Sequence, residues 1–158
     1  RSCLVGSEMC IRDRIKNDNM SLNYFINTAI IDSKYTSSYV SGVVGKKVEF
    51  VPNLNLKTGI KFGFSNFIFN VQYSFISKQF TDSSNATEGN ISGIIGEIPQ
   101  YQLLDASMSY LIRKFKFEAG INNLTNTYYF TRRATGYPGP GIIPSPPRNF
   151  YLTFQIKI

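Results

Sequence analysis

The chain has no histidine and no tryptophan, and both of its cysteines, Cys3 and Cys10, fall within the first ten residues. Without histidine, Ser-His and Cys-His nucleophile systems are excluded, and so are histidine-containing metal sites. No apolar run approaches the roughly 18 residues that a membrane-crossing helix requires. Any membrane role therefore falls to strands. The net charge is +7, but Lys and Arg are scattered along the 158 residues and do not gather in a stripe interleaved with aromatics. Nucleic acid is not expected as a partner on that distribution. A carboxylate pair, Asp105 and Glu118, is the remaining catalytic option, yet both fall on polar strand faces where hydrogen bonding is the commoner role. No enzyme activity, no cofactor and no metal site are expected.

What the chain does have is Phe and Tyr, 13 and 10 residues, placed in alternation. At the C-terminus Phe150, Leu152, Phe154, Ile156 and Ile158 share one face, with Tyr151, Thr153, Gln155 and Lys157 on the other. A period of two gives a strand with one greasy and one wet face. Five more such segments lie near 20–32, 54–64, 67–75, 104–112 and 115–121. Their wet faces carry Lys57, Lys61, Asn70, Gln72, Asp105, Ser107, Ser109, Lys116 and Glu118.

The apolar positions change parity across Ser65-Asn66 and again across Arg113-Lys114. A two-residue hairpin turn pairs its flanking residues on the same face. Phe64 should then oppose Phe67, Phe62 oppose Phe69 and Ile60 oppose Val71. Likewise Ile112 should oppose Phe115, and Tyr110 should oppose Phe117. The remaining connections, about 32–52, 81–100 and 125–147, are long and polar. Short turns alternating with long loops fit outer-membrane barrels, with the short turns and C-terminus periplasmic. Aromatics near strand ends, among them Tyr24, Phe64, Phe67, Tyr73, Phe80 and Phe150, suit interface girdles. A soluble up-and-down barrel would give the same alternation with the apolar rows inside. Closure of either barrel needs about eight strands, and this reading finds six.

Residues 1–14 closely resemble translated sequencing-adapter read-through. They are expected to be unstructured and foreign to the fold, leaving residues 15–158 as the domain and the natural N-terminus lost. A genuine segment would carry a cysteine spacing that fits neither a C-x-x-C motif nor a zinc pair.

The stretch Ala119-Gly-Ile-Asn-Asn-Leu-Thr-Asn-Thr-Tyr-Tyr-Phe130 resembles the penultimate strand of TonB-dependent outer-membrane receptors, with their Asn-Leu-x-(Asp/Asn)-x-x-Tyr signature. Residues 131–144 are similar to the last extracellular loop of a ferric-chelate, citrate-type subgroup common in Bacteroidetes. Residues 98–105 and 50–56 resemble the strand approaches that precede it. The resemblance implies an all-β fold: antiparallel up-and-down strands forming the last six of a larger transmembrane β-barrel of about 22 strands, incomplete and not closed. It implies a multi-pass protein of the Gram-negative cell outer membrane that imports a ferric citrate or siderophore complex. Implied partners are outer-membrane lipid and lipopolysaccharide, the missing N-terminal barrel and plug, the TonB energy-transducing complex through a missing coupling box, and the ferric chelate. The chelate is anionic, so Arg132 and Arg133, with Tyr128, Tyr129 and Tyr137, are the ligand-binding candidates. Their structural alternative is pairing with lipopolysaccharide phosphates or neighbouring loops. Lys57, Lys61, Asp105, Glu118 and Lys157 are expected to face the lumen. A passive barrel without a plug and a soluble carrier barrel are the alternative functions.

Overall fold

In the computed structural model, which describes residues 2–17, 19–136 and 139–156, every regular element is a strand. In chain order these are β1 (Ser2–Lys16), β2 (Met20–Tyr35), β3 (Leu54–Phe64), β4 (Phe67–Ile76), β5 (Gln79–Phe80) and β6 (Glu97–Ile98). They continue as β7 (Tyr101–Ile112), β8 (Phe115–Asn122), β9 (Phe130–Ala134), β10 (Gly141–Pro144) and β11 (Asn149–Ile156). Seven of them make one antiparallel sheet in the order β1-β2-β3-β4-β7-β8-β11, and β5–β6 and β9–β10 form two small two-stranded sheets. The large sheet is open, with β1 and β11 at its edges.

The six strands anticipated from alternation are all present, and the hairpin registers match. Phe64 pairs with Phe67, Phe62 with Phe69 and Ile60 with Val71. Ile112 pairs with Phe115, and Tyr110 with Phe117. Ser65 and Arg113, the first residues of the two turns, take φ of 50° and 51°. Primed hairpin turns need a positive φ at this position because only they match the strands' right-handed twist.

Residues 2–14, within the segment expected to be unstructured, instead make up most of β1, which pairs along its length with β2. The ladder is made by backbone groups, so the free edge of β2 accepts a strand of almost any composition. Alternation helps as well. Ile11 lies opposite Ile26 and Ile15 opposite Leu22, while Cys10, Arg12 and Arg14 line the other side of the sheet. Reciprocal backbone bonds between Asn17 and Met20 close the turn.

The two faces differ in kind. The apolar rows are open to the surroundings: Leu22, Ile60, Phe64, Met108, Phe117, Leu152 and Phe154 are each about two-fifths exposed or more, Leu152 at 80%. A soluble barrel would have packed these rows inside. The polar face of β1 to β4 encloses a concavity of about 610 Å³, lined in part by Arg12, Arg14, Asn23, Asn27, Lys57 and Lys61. Aromatic rings on this face cover glycines of the adjacent strand. Phe25 lies opposite Gly59, where a Cβ would stand 2.6 Å from the ring and 2.7 Å from the Val71 carbonyl oxygen. Tyr151 covers Gly120 in the same way. Among the described residues the buried hydrophobic side chains are Val43, Ile98 and Ala134, and none lies in the large sheet. The packed part of the molecule is the layer of long loops.

Candidate functional site

The three long loops gather at one end of the sheet and are joined to one another by side chains. The first loop meets the second where Asn85 Nδ2 donates to the Lys47 carbonyl at 2.8 Å and the Lys47 N–H donates to Asn85 Oδ1 at 2.7 Å. The Phe50 N–H adds a bond to the Phe80 carbonyl at 2.9 Å. Thr81 ties the second loop to itself, donating to the Gly96 carbonyl at 2.8 Å and accepting from the Gly96 N–H at 3.0 Å. The same loop carries an ion pair between Lys78 and Glu97 at 3.0 Å. Tyr35, at the loop end of β2, donates to Glu49 Oε2 at 2.5 Å. That bond to a carboxylate, aided by desolvation, raises the phenol above its ordinary pKa.

Arg133 joins the second loop to the third. From β9 its Nη1 donates to the Gly93 carbonyl at 2.9 Å and its Nη2 to the Glu97 carbonyl at 3.0 Å. Its guanidinium lies 5.3 Å from the centre of the Phe130 ring. The fork thus spends two of its donors on the neighbouring loop, and its Nε is buried with no partner among the described residues. The sequence marked Arg133 as a ligand-contact candidate, and in the fold two of its donors link the second and third loops. Arg132, the next residue along the strand, is exposed and stands opposite Ile143.

The candidate tyrosines separate likewise. Tyr129 stacks on Tyr101 with ring centres 4.7 Å apart, which anchors the third loop to the start of β7. Tyr128 is 87% exposed. Tyr137 lies outside the described residues, as does Lys157. Among the described candidates, Arg132 and Tyr128 present free side chains on the loop surface.

Asp105 and Glu118 have structural partners. Glu118 accepts from Lys116 at 2.8 Å on the polar face. Asp105 accepts from the Asn123 N–H at 2.8 Å and so caps the point where β8 gives way to loop. Asn123 is itself 3% exposed. Its side chain donates to the Thr127 carbonyl at 2.9 Å and accepts from the Thr127 N–H at 2.8 Å. Asn126 Oδ1 accepts from the Arg148 N–H at 3.1 Å, bringing the far end of the loop back to its beginning. Asn123 and Asn126 adopt φ of 53° and 54°, a region that Asn tolerates better than most residues. The Asn-Asn-Leu-Thr-Asn segment is therefore a folded corner. Residue type alone, Asn in a run of turn formers, could have signalled this role.

No family model matches the sequence. Three-dimensional comparison finds likeness to solved structures. The chain superposes on the ferric citrate transporter FecA in its unliganded form with a TM-score of 0.77, at 24% identity, over 88% of this chain and 21% of that one. It shares that barrel fold. The siderophore receptor PiuA from Acinetobacter baumannii matches with a TM-score of 0.77 at 20% identity, over 98% of this chain and 22% of that one. The ferric yersiniabactin uptake receptor FyuA from Yersinia pestis matches with a TM-score of 0.73 at 15% identity, over 97% of this chain and 23% of that one. The chain thus spans about a fifth of the length of these barrels, and its sheet corresponds to a sector of their wall.

Proposed function

We propose that the chain is the C-terminal sector of a TonB-dependent outer-membrane receptor for a ferric chelate, supplying barrel wall and extracellular loops. The observation that carries this reading is the pairing of an exposed apolar face with a polar concave face on a sheet of the receptor fold. Exposed Phe and Leu rows gain their burial from acyl chains, and the Lys- and Asn-bearing face looks into water. Strand lengths of 11, 10 and 12 residues in β3, β4 and β7 suit a tilted crossing of about 9–11 residues. Strand direction fits too. With seven antiparallel strands β1 and β11 run the same way, so an all-antiparallel closed barrel needs an odd number of further strands, about fifteen to reach about 22.

In this reading residues 15–158 belong to the receptor, and the resemblance of residues 1–14 to adapter sequence marks β1 as occupying a natural neighbour's place. The wall would meet outer-membrane lipid, the polar face would meet the plug and lumen water, and TonB would act through a coupling box upstream. Arg132 and Tyr128, the free members of the loop candidates, would contact the anionic chelate, while Arg133 and Tyr129 hold the loops that carry them. The test is ferric citrate binding by the full-length receptor. Arg132→Gln should weaken it about tenfold or more, since a hydrogen bond to a charged group contributes about 1.5–3 kcal/mol. Unchanged binding would remove Arg132 from the site. Recovery of the chain as a monodisperse, detergent-free monomer would remove the membrane reading itself.

A further inference from the structure

On the apolar face, between β4 and β11, the side chains shrink. Ala106 and Ala119 stand among Phe69, Met108, Ile121, Phe150 and Leu152, and the missing bulk leaves a furrow of about 490 Å³. Register fixes its position. Ala119 lies opposite Met108 on one side and Leu152 on the other, and Ala106 opposite Val71 and Ile121. The volume falls in the roughly 300–1,000 Å³ range of ligand clefts. Its walls are aliphatic and aromatic, and they run without a break into the exposed apolar rows on both sides.

The furrow has two unlike ends. Toward the hairpin turns, the rings of Phe115 and Phe117 lie 5.8 and 5.0 Å from that of Phe154 and close it with aromatic surface. Toward the loops the same face turns polar, where Tyr73 Oη donates to Gln102 Oε1 at 2.9 Å. Arg148 immediately precedes β11, two residues before Phe150 at the loop end of the furrow. Arg148 is exposed, and Asn126 fixes its backbone N–H at 3.1 Å. The acidic residues of β4, β7, β8 and β11 are Asp105 and Glu118, and both belong to the rows of the opposite face. An apolar trough with an arginine at its loop end, and no acidic residue in the strand rows of that face, is complementary to an anionic headgroup carrying a hydrocarbon chain.

We infer that the furrow and Arg148 form a site for one phosphorylated acyl lipid of the outer leaflet. An acyl chain lies over Ala106 and Ala119, and a headgroup phosphate meets the Arg148 guanidinium, whose planar fork suits phosphate oxygens. This site rests on the membrane-wall reading above and lies on the face opposite the lumen, apart from the chelate candidates.

The test uses the full-length receptor extracted in mild detergent, titrated with diphosphoryl lipid A, with its dephosphorylated form and with inorganic phosphate, bound species being counted by native mass spectrometry. The diphosphoryl lipid should bind at least about tenfold more tightly than the dephosphorylated one. Arg148→Gln should abolish that preference, and Ala119→Phe should weaken both lipids about tenfold by filling the furrow. Inorganic phosphate should not compete. Equal affinity for the two lipids, or full affinity in a folded Ala119→Phe variant, overturns the inference. Ala106→Leu serves as the second furrow variant should Phe at 119 disturb strand pairing, and full lipid affinity there has the same meaning. A receptor that binds ferric chelate yet shows no lipid preference loses this site and keeps the proposed function. A receptor with the lipid preference and no chelate binding does the reverse.

Discussion

The sheet and the loop layer of this molecule are held together by different means. In the large sheet the backbone is satisfied strand to strand, and the apolar side chains remain exposed. In the loop layer the backbone is irregular, and order comes from side chains that reach across: Asn85 to Lys47, Arg133 to Gly93 and Glu97, and Asn123 to Thr127. Among the described residues the buried hydrophobic side chains are there, as with Ile98 at 0% exposed, and so is Asn123 at 3%. The sheet carries the pattern and leaves its stabilisation to its surroundings. The loop layer carries a small core of its own.

Substitutions can break this contrast. The largest effect is expected on the apolar face. Met108→Arg places a charge among acyl chains and should destabilise the vesicle-inserted receptor by about 2–4 kcal/mol in a denaturant titration. Lys61→Ser, on the polar face, should change the same titration little. If the two behave alike, the faces have been assigned wrongly. Next comes the loop corner. Asn123→Ala leaves the Thr127 N–H and carbonyl without their partner in a buried setting and should cost about 1–3 kcal/mol locally. Amide exchange should accelerate from 123 to 148 while β3 and β4 stay protected, and acceleration across the whole sheet would show that the two regions are not separate. The smallest effect is at the turns. Ser65→Gly removes the penalty of a left-handed residue, about 1–2 kcal/mol, less the entropy that Gly adds to the unfolded chain. The net gain should be about 0.5–1 kcal/mol, read from the same titration, and a loss there would contradict the left-handed turn.

The sheet was legible because alternation and turn length are both local. Ser65-Asn66 and Arg113-Lys114 reverse the parity of the apolar positions, and that reversal sets which residues face each other. β1 was missed for the opposite reason. Its composition pointed away from the fold, although Met9, Ile11 and Ile15 share one row, interrupted by Asp13, and the edge of β2 is open to any extended partner. The loop candidates were half legible. Arginine and tyrosine near an anion site are chemically apt, but Arg132 and Arg133 are neighbours in sequence and play different parts. Nothing local distinguishes the residue whose donors are taken by Gly93 and Glu97, some forty and thirty-six positions away, from the one left exposed.

By itself the sequence determined the strand class, the two faces and the hairpin registers, because side-chain direction in a strand follows from position parity and a two-residue turn permits only one pairing. Tertiary structure alone decided which loop side chains are cross-links and which are free, and where small residues on neighbouring strands line up into a furrow. Both depend on distances between segments far apart in the chain, and periodicity within a segment carries no information about those distances.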